Sequence, residues 1–158
     1  MLFNIWCSVE TGYYTLYQSL KAIFLHIDNH EKTLFNRFDL SIARFYALMH
    51  IHDHPGINYI DLSNLMLCTK GNTTRIVAGL QSEGLVDREA HPSDGRAYKL
   101  TLTANGEALF KKVHPAYIDQ INQLMSHFNP GELVKYSEVS RDIESRLAPA
   151  ASVTGGVL

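Results

Sequence analysis

The chain has 158 residues, 46% of them apolar, a net charge of −2 at neutral pH and two cysteines, Cys7 and Cys68. That length supports one core and predicts a single compact domain over residues 1–158. Two cysteines without a Cys-x-x-Cys spacing exclude a disulfide framework, and the opening "MLFNIWC" is too short an apolar run for a signal peptide or membrane span. The expectation is a cytoplasmic protein that makes no membrane contact.

Tyr13, Leu16, Tyr17, Leu20, Phe24 and Ile27 recur at intervals of three and four, which predicts a long amphipathic helix from about Ser8 to His30. Ser41 is the expected N-cap of a second helix carrying Ile42, Phe45, Leu48 and Met49, ended by "HPG" at residues 54–56. Asn58 then caps a short third helix with Leu62, Leu65 and Met66 inward. After a tight turn at Leu67 and Cys68, Thr69 caps a fourth, whose Ile76, Val77 and Leu80 face inward before Gly84 stops it. Two short helices joined in this way make a helix-turn-helix.

"LVDREA" and "AYKLTLT" read as two strands joined by "HPSDG", the second alternating Tyr98, Leu100 and Leu102 with Lys99, Thr101 and Thr103. This pair forms a wing. Thr103 caps a fifth helix with Phe110, Val113, Tyr117, Ile121, Leu124 and Phe128 at near-heptad spacing, interrupted by Pro115 with a kink expected at Lys111–His114. Asn129-Pro130-Gly131-Glu132 opens a sixth helix through Tyr136, Val139, Ile143 and Leu147. Residues 148–158 carry no period and read as a flexible tail.

Charge is unevenly placed along this order. Met66 to Lys112 holds seven Lys and Arg against five Asp and Glu, a local +2, while the segments on either side each total −2. The basic part of the chain is therefore the helix-turn-helix and wing.

"KGNTTRIVAGLQSEGLVDREAHPSDGRAYKLTLTANGEAL" resembles the core of the MarR family of transcription regulators: Gly-x-x-Thr-Arg, "GLV-x-R", Asp-x-Arg and "LT-x-x-G". The resemblance is residue-specific from about Phe38 to Leu109 and architectural outside it. It implies a mainly α fold with a small β wing: a winged helix-turn-helix over 38–105, with long N- and C-terminal dimerisation helices over 1–37 and 106–147. It also implies a homodimer whose two recognition helices reach double-stranded DNA. Gly95 departs from the pattern, because many relatives carry a second arginine there.

Near the start of the fourth helix, Lys70, Asn72, Thr74 and Arg75 lie on the side its apolar residues leave free. Arg pairs bidentately with guanine, Asn with adenine, and Thr with a base or phosphate. A solvated polar face would explain these residues alone; the adjacent wing favours DNA. The resemblance places Arg96 in a minor groove, with Asp94 orienting its guanidinium, the alternative being a surface ion pair; Lys99 faces outward, either to touch phosphate or as a solubilising edge lysine.

Tyr13, Tyr17, Phe24, Tyr46, His50 and Tyr117 suit a cleft for an aromatic or phenolic effector, although each also reads as an ordinary core aromatic. His26 and His30, and His50, His52 and His54, raise a metal-sensing alternative that lacks a third well-placed ligand, so no metal or cofactor is assigned. Cys7 lies too early to match the oxidant-sensing cysteine of some MarR relatives, and Cys68 reads as a small packed residue. The leading function is a ligand-responsive repressor acting as a homodimer on a pseudo-palindromic operator. The competing one is a winged-helix module that binds protein and not DNA. No catalytic constellation stands in a recognisable context, so an enzyme is not expected.

Overall fold

The computed structural model describes residues 3–91 and 94–148, with side chains over 12–89 and 98–148. The element order is α1 (Phe3–Asn36), α2 (Ile42–Asp53), α3 (Tyr59–Leu65), α4 (Lys70–Ser82), β1 (Val86–His91), β2 (Asp94–Leu102), α5 (Ala104–Met125) and α6 (Pro130–Leu147). This is the expected mainly helical winged helix, with one two-stranded antiparallel sheet among the described residues. The tail, 149–158, lies outside them. None of the described helices is long and apolar enough to cross a membrane.

Local chemistry sets the boundaries. Ser41 accepts from the Arg44 amide, Asn58 from the Ile60 and Asp61 amides, and Thr69 from the Asn72 amide, so each helix of the helix-turn-helix starts on a side chain that satisfies an otherwise unpaired N–H. Gly84 ends α4 at φ +68°, in the left-handed region that glycine enters without strain. Leu67 takes φ 50° in the α3–α4 turn, with its side chain almost fully exposed. α1 extends beyond the expected 8–30 at both ends, since its last turn carries Leu34 and Phe35 into the core.

The first compact unit, Met1–Tyr117, holds the core. Phe45 stands at its centre, with ring centroids 4.3 Å from Phe35, 4.9 Å from Tyr117 and 6.3 Å from Phe110. Leu48, Ile51, Leu62, Val77, Leu80 and Leu100 complete it from α2, α3, α4 and the wing. The strands pair Val86 with Leu102, Arg88 with Leu100 and Ala90 with Tyr98, and a register irregularity follows Ala90. Opposed residues share a face, so Val86 and Leu100 are buried while Lys99 and Thr101 lie on the other side. Ile57 bridges to Leu100, tying the loop after α2 to the base of the wing.

Thr103 opens α5 as expected. Its hydroxyl accepts from the Gly106 amide at 3.0 Å and donates to the Gly84 carbonyl at 2.6 Å, fastening α5 to the end of α4. Thr103→Ala is expected to lower stability by about 1 kcal/mol, the usual cost of a lost N-cap. Chemical denaturation with an unchanged m-value checks it, and an unchanged midpoint would remove the cap from the account.

Pro115 lies inside α5, which continues past it from Ala104 to Met125, so the proline does not end the helix. The missing proline N–H costs one intrahelical bond. Burial of Phe110 and Val113 on the turn before it, with the remaining helical bonds, outweighs a penalty of about 3 kcal/mol.

The second unit, Ile118–Leu158, contains the end of α5 and α6. Asn129 accepts from the Glu132 amide and Glu132 accepts from the Asn129 amide, forming a complete capping box behind Pro130. Phe128 meets Tyr136 edge-on at 5.8 Å. Among the described residues α6 buries no side chain, and Val134, Tyr136, Val139 and Leu147 remain exposed.

Candidate nucleic-acid interface and neighbouring groove

Helix α4 divides into two faces. Thr73, Ile76, Val77 and Leu80 are buried, whereas Lys70, Thr74 and Arg75 are exposed and Asn72 lies at the edge between the two faces. The Arg75 guanidinium donates to Asn72 Oδ1 at 3.1 Å, and the Thr74 hydroxyl donates to the Lys70 carbonyl at 2.8 Å while keeping its lone pairs outward. Arg44 of α2 pairs with Glu83 at the far end of α4, which fixes the helix against the domain. Lys70 and Arg75 have no carboxylate partner among the described residues, so the outer face of α4 keeps its positive charge for an external anion.

On the wing, Lys99 is half-buried beside the turn at Gly56, its Cδ 3.8 Å from where a Cβ would stand on that glycine. Asp94, Gly95 and Arg96 belong to β2, but their side chains lie outside the described residues, as does the connection at residues 92–93. The sequence reading overlooked Arg88, whose guanidinium sits 4.6 Å above the Tyr98 ring. Cross-strand pairing with Leu100 shows that position; the motif "GLV-x-R" contained the residue without revealing its contact.

Behind α4 a groove of about 810 Å³ opens between the second half of α1, α2 and the α3–α4 turn. Of the six residues suggested for an effector, Phe24, Tyr46 and His50 line it. Tyr117 stands behind Tyr46 in the aromatic core, their hydroxyls 3.1 Å apart. Tyr13 and Tyr17 lie outside the lining, 72% and 60% exposed on the earlier turns of α1. Helical spacing could not separate these cases, because the six lie on three helices whose packing against one another decides which of them meet.

Residues with no local sequence signal shape the groove's chemistry. Glu31 Oε1 accepts from the Tyr46 hydroxyl at 2.7 Å, a contact spanning fifteen residues. Burial raises the Glu31 carboxyl above the usual range, partly offset by the Tyr46 hydrogen bond, and nearby Asp28 raises it further. Burial, with the hydrogen bonds to Tyr117 and Glu31, pushes the Tyr46 phenol far up, so it remains a donor at neutral pH. Burial holds His50 below the ordinary imidazole value, opposed by Asp53. Cys68 also lines the groove, its Sγ 3.1 Å from the Thr73 hydroxyl.

The alternating histidines separate in space. His50 enters the groove, His52 Nδ1 meets Glu107 at 3.0 Å, and His54 caps α2. No group of three or more His, Cys, Asp or Glu is placed to hold a metal among the described residues.

The MarR family model matches residues 40–98, from the end of the α1–α2 turn to the middle of β2. The chain is 25% identical over 136 residues to the HTH-type transcriptional regulator BilQ of Clostridioides difficile, covering 82% of this chain and 92% of that protein. Its fold matches a mutant MarR from E. coli complexed with operator DNA, with TM-score 0.76 and 22% identity over 82% of this chain and 93% of that one. It also matches Bordetella bronchiseptica BpsR, whose DNA binding is regulated by 6-hydroxynicotinic acid, with TM-score 0.75 and 18% identity over 82% and 98%. These relatives are regulators and not enzymes. The segment that the MarR family model matches is built as α2–α3–α4 and most of the wing, so the chain has a winged helix-turn-helix fold and is similar to MarR family proteins over that segment.

Proposed function

We propose that this protein is a sequence-specific double-stranded DNA-binding transcription regulator, a ligand-responsive repressor acting as a homodimer on a pseudo-palindromic operator. The carrying observation is the outward face of α4, where Lys70, Asn72, Thr74 and Arg75 stand without carboxylate partners among the described residues. Asp94, Arg96 and Lys99 extend the contact along the wing. Arg96 follows the negative potential of the minor groove, and a dimer seated across an operator excludes other proteins from it.

Two features support the dimer and the ligand response. Tyr13, Tyr14, Leu16, Tyr17, Ile23, Phe24, Leu25 and Ile27 of α1 are 42–72% exposed, an apolar stripe too long to leave in water. A second copy related by two-fold symmetry covers it, with residues 1–37 and 106–147 as dimerisation helices of one functional domain and the winged part at 38–105. Asn72 borders the groove and accepts from Arg75, so a bound aromatic or phenolic molecule acts directly on the recognition face.

The experiment selects a binding site from random duplexes and then titrates it across salt. Two half-sites about one helical turn apart and two chains per duplex are expected. Affinity should fall about a thousandfold between 50 and 200 mM salt if about six phosphates are neutralised. A single asymmetric site overturns the dimer, and absence of duplex binding favours the protein-binding module.

A further inference from the structure

The groove holds a carboxylate that the fold leaves uncompensated. Glu31 projects from α1 with one oxygen taken by the Tyr46 hydroxyl and has no ion-pair partner among the described residues. The only lysine or arginine in the lining, Lys32, is held by Asp28 at 2.5 Å. His50 is mostly neutral at pH 7 because burial disfavours its charged form. The polar end of the groove thus carries net negative charge, while Phe24, Ile27, Leu65 and Met66 form its apolar walls.

We propose that this groove takes an organic cation, an apolar aromatic body bearing a protonated amine or amidine that binds Glu31. This rests on the reading of the groove as the effector site and names the effector's chemical class. Tyr46 donates to Glu31 Oε1 and is in hydrogen-bond reach of Tyr117, which orients the carboxylate and leaves Oε2 for a ligand N–H. An aromatic carboxylate would meet the same negative charge with no uncommitted lysine or arginine in the lining to offset it. A bound cation would also relieve the cost of holding Glu31 ionised away from water.

That cost predicts a control. The folded-state pKa of Glu31 lies above its unfolded value, so its contribution to stability is full below the ordinary carboxylate pKa and is lost as pH rises through the folded value. Above that value the ionised side chain weakens the ligand-free protein, and there Glu31→Gln, which keeps an acceptor for Tyr46, should melt no lower than the wild type.

The test titrates the full chain and its Glu31→Gln variant by calorimetry with tryptamine, tryptophol and indoleacetate, which share an aromatic body and differ in charge. Tryptamine is expected to bind the wild type about tenfold or more tighter than the other two, as a hydrogen bond to a charged group does. Glu31→Gln should abolish that preference and leave tryptophol unchanged. Equal or tighter binding of indoleacetate, a tryptamine affinity indifferent to the substitution, or binding of none of the three overturns the proposal. Loss of duplex binding with the Glu31-dependent preference intact overturns the regulator reading alone; duplex binding without the preference overturns the cation site alone.

Discussion

Replacing Gly106 by alanine is expected to destabilise the protein by about 3 kcal/mol, the upper part of the range for overpacking a tight site. A Cβ built there would lie 3.0 Å from the Leu85 carbonyl carbon and 2.0 Å from its oxygen, the latter a distance no real methyl group occupies. The obstacle is backbone, which cannot rotate away as a flexible side chain would. Leu85 O is itself held, since it accepts from the Thr103 amide at 3.1 Å. Relief must therefore separate the start of α5 from the α4–β1 connection, loosening Phe110 and Val113 in the core. Gly12, by contrast, has nothing within 4 Å of where a Cβ would stand, so Gly12→Ala serves as the helix-propensity control and should be neutral or slightly stabilising. Equal denaturation midpoints for Gly106→Ala and wild type would show that the two segments can part at little cost.

Arg75→Ala should produce the largest loss of DNA affinity. An arginine paired with a base contributes about 1–3 kcal/mol, and a two-fold dimer loses two of them, about 2–6 kcal/mol on a full operator. Stability should change by less than about 0.5 kcal/mol, because the side chain is exposed and its described contact is the bond to Asn72. Arg75→Lys should fall between wild type and alanine, since lysine keeps the charge and loses the bidentate fork. Anisotropy titrations on operator and scrambled duplex at one salt concentration separate the possibilities. A base contact weakens operator binding far more than scrambled binding; an equal loss on both would make Arg75 a phosphate contact.

Helix caps and stops were legible because their chemistry is local. Ser41, Asn58, Thr69, Thr103 and Asn129 each accept from an amide two or three residues on, so a short window contains both partners. The two faces of α4 were equally readable, because helical periodicity alone puts Ile76, Val77 and Leu80 opposite Lys70 and Arg75. That α5 continues through Pro115 was not legible for a related reason: the proline's local penalty is visible in sequence, whereas the burial of Phe110 and Val113 on the preceding turn is not.

From its sequence alone, the protein's winged helix-turn-helix order, its helix caps and the polar outer face of α4 were determined, since each depends on contacts within about one turn or on strict periodicity. Only the tertiary structure decided which aromatics line the groove, that Gly106 must pass a carbonyl, and that Glu31 meets Tyr46. Those contacts join residues that are distant in the chain, and they depend on how the helices are packed against one another. That arrangement is set by the shared burial of Phe35, Phe45 and Phe110, a collective packing solution that no single segment encodes.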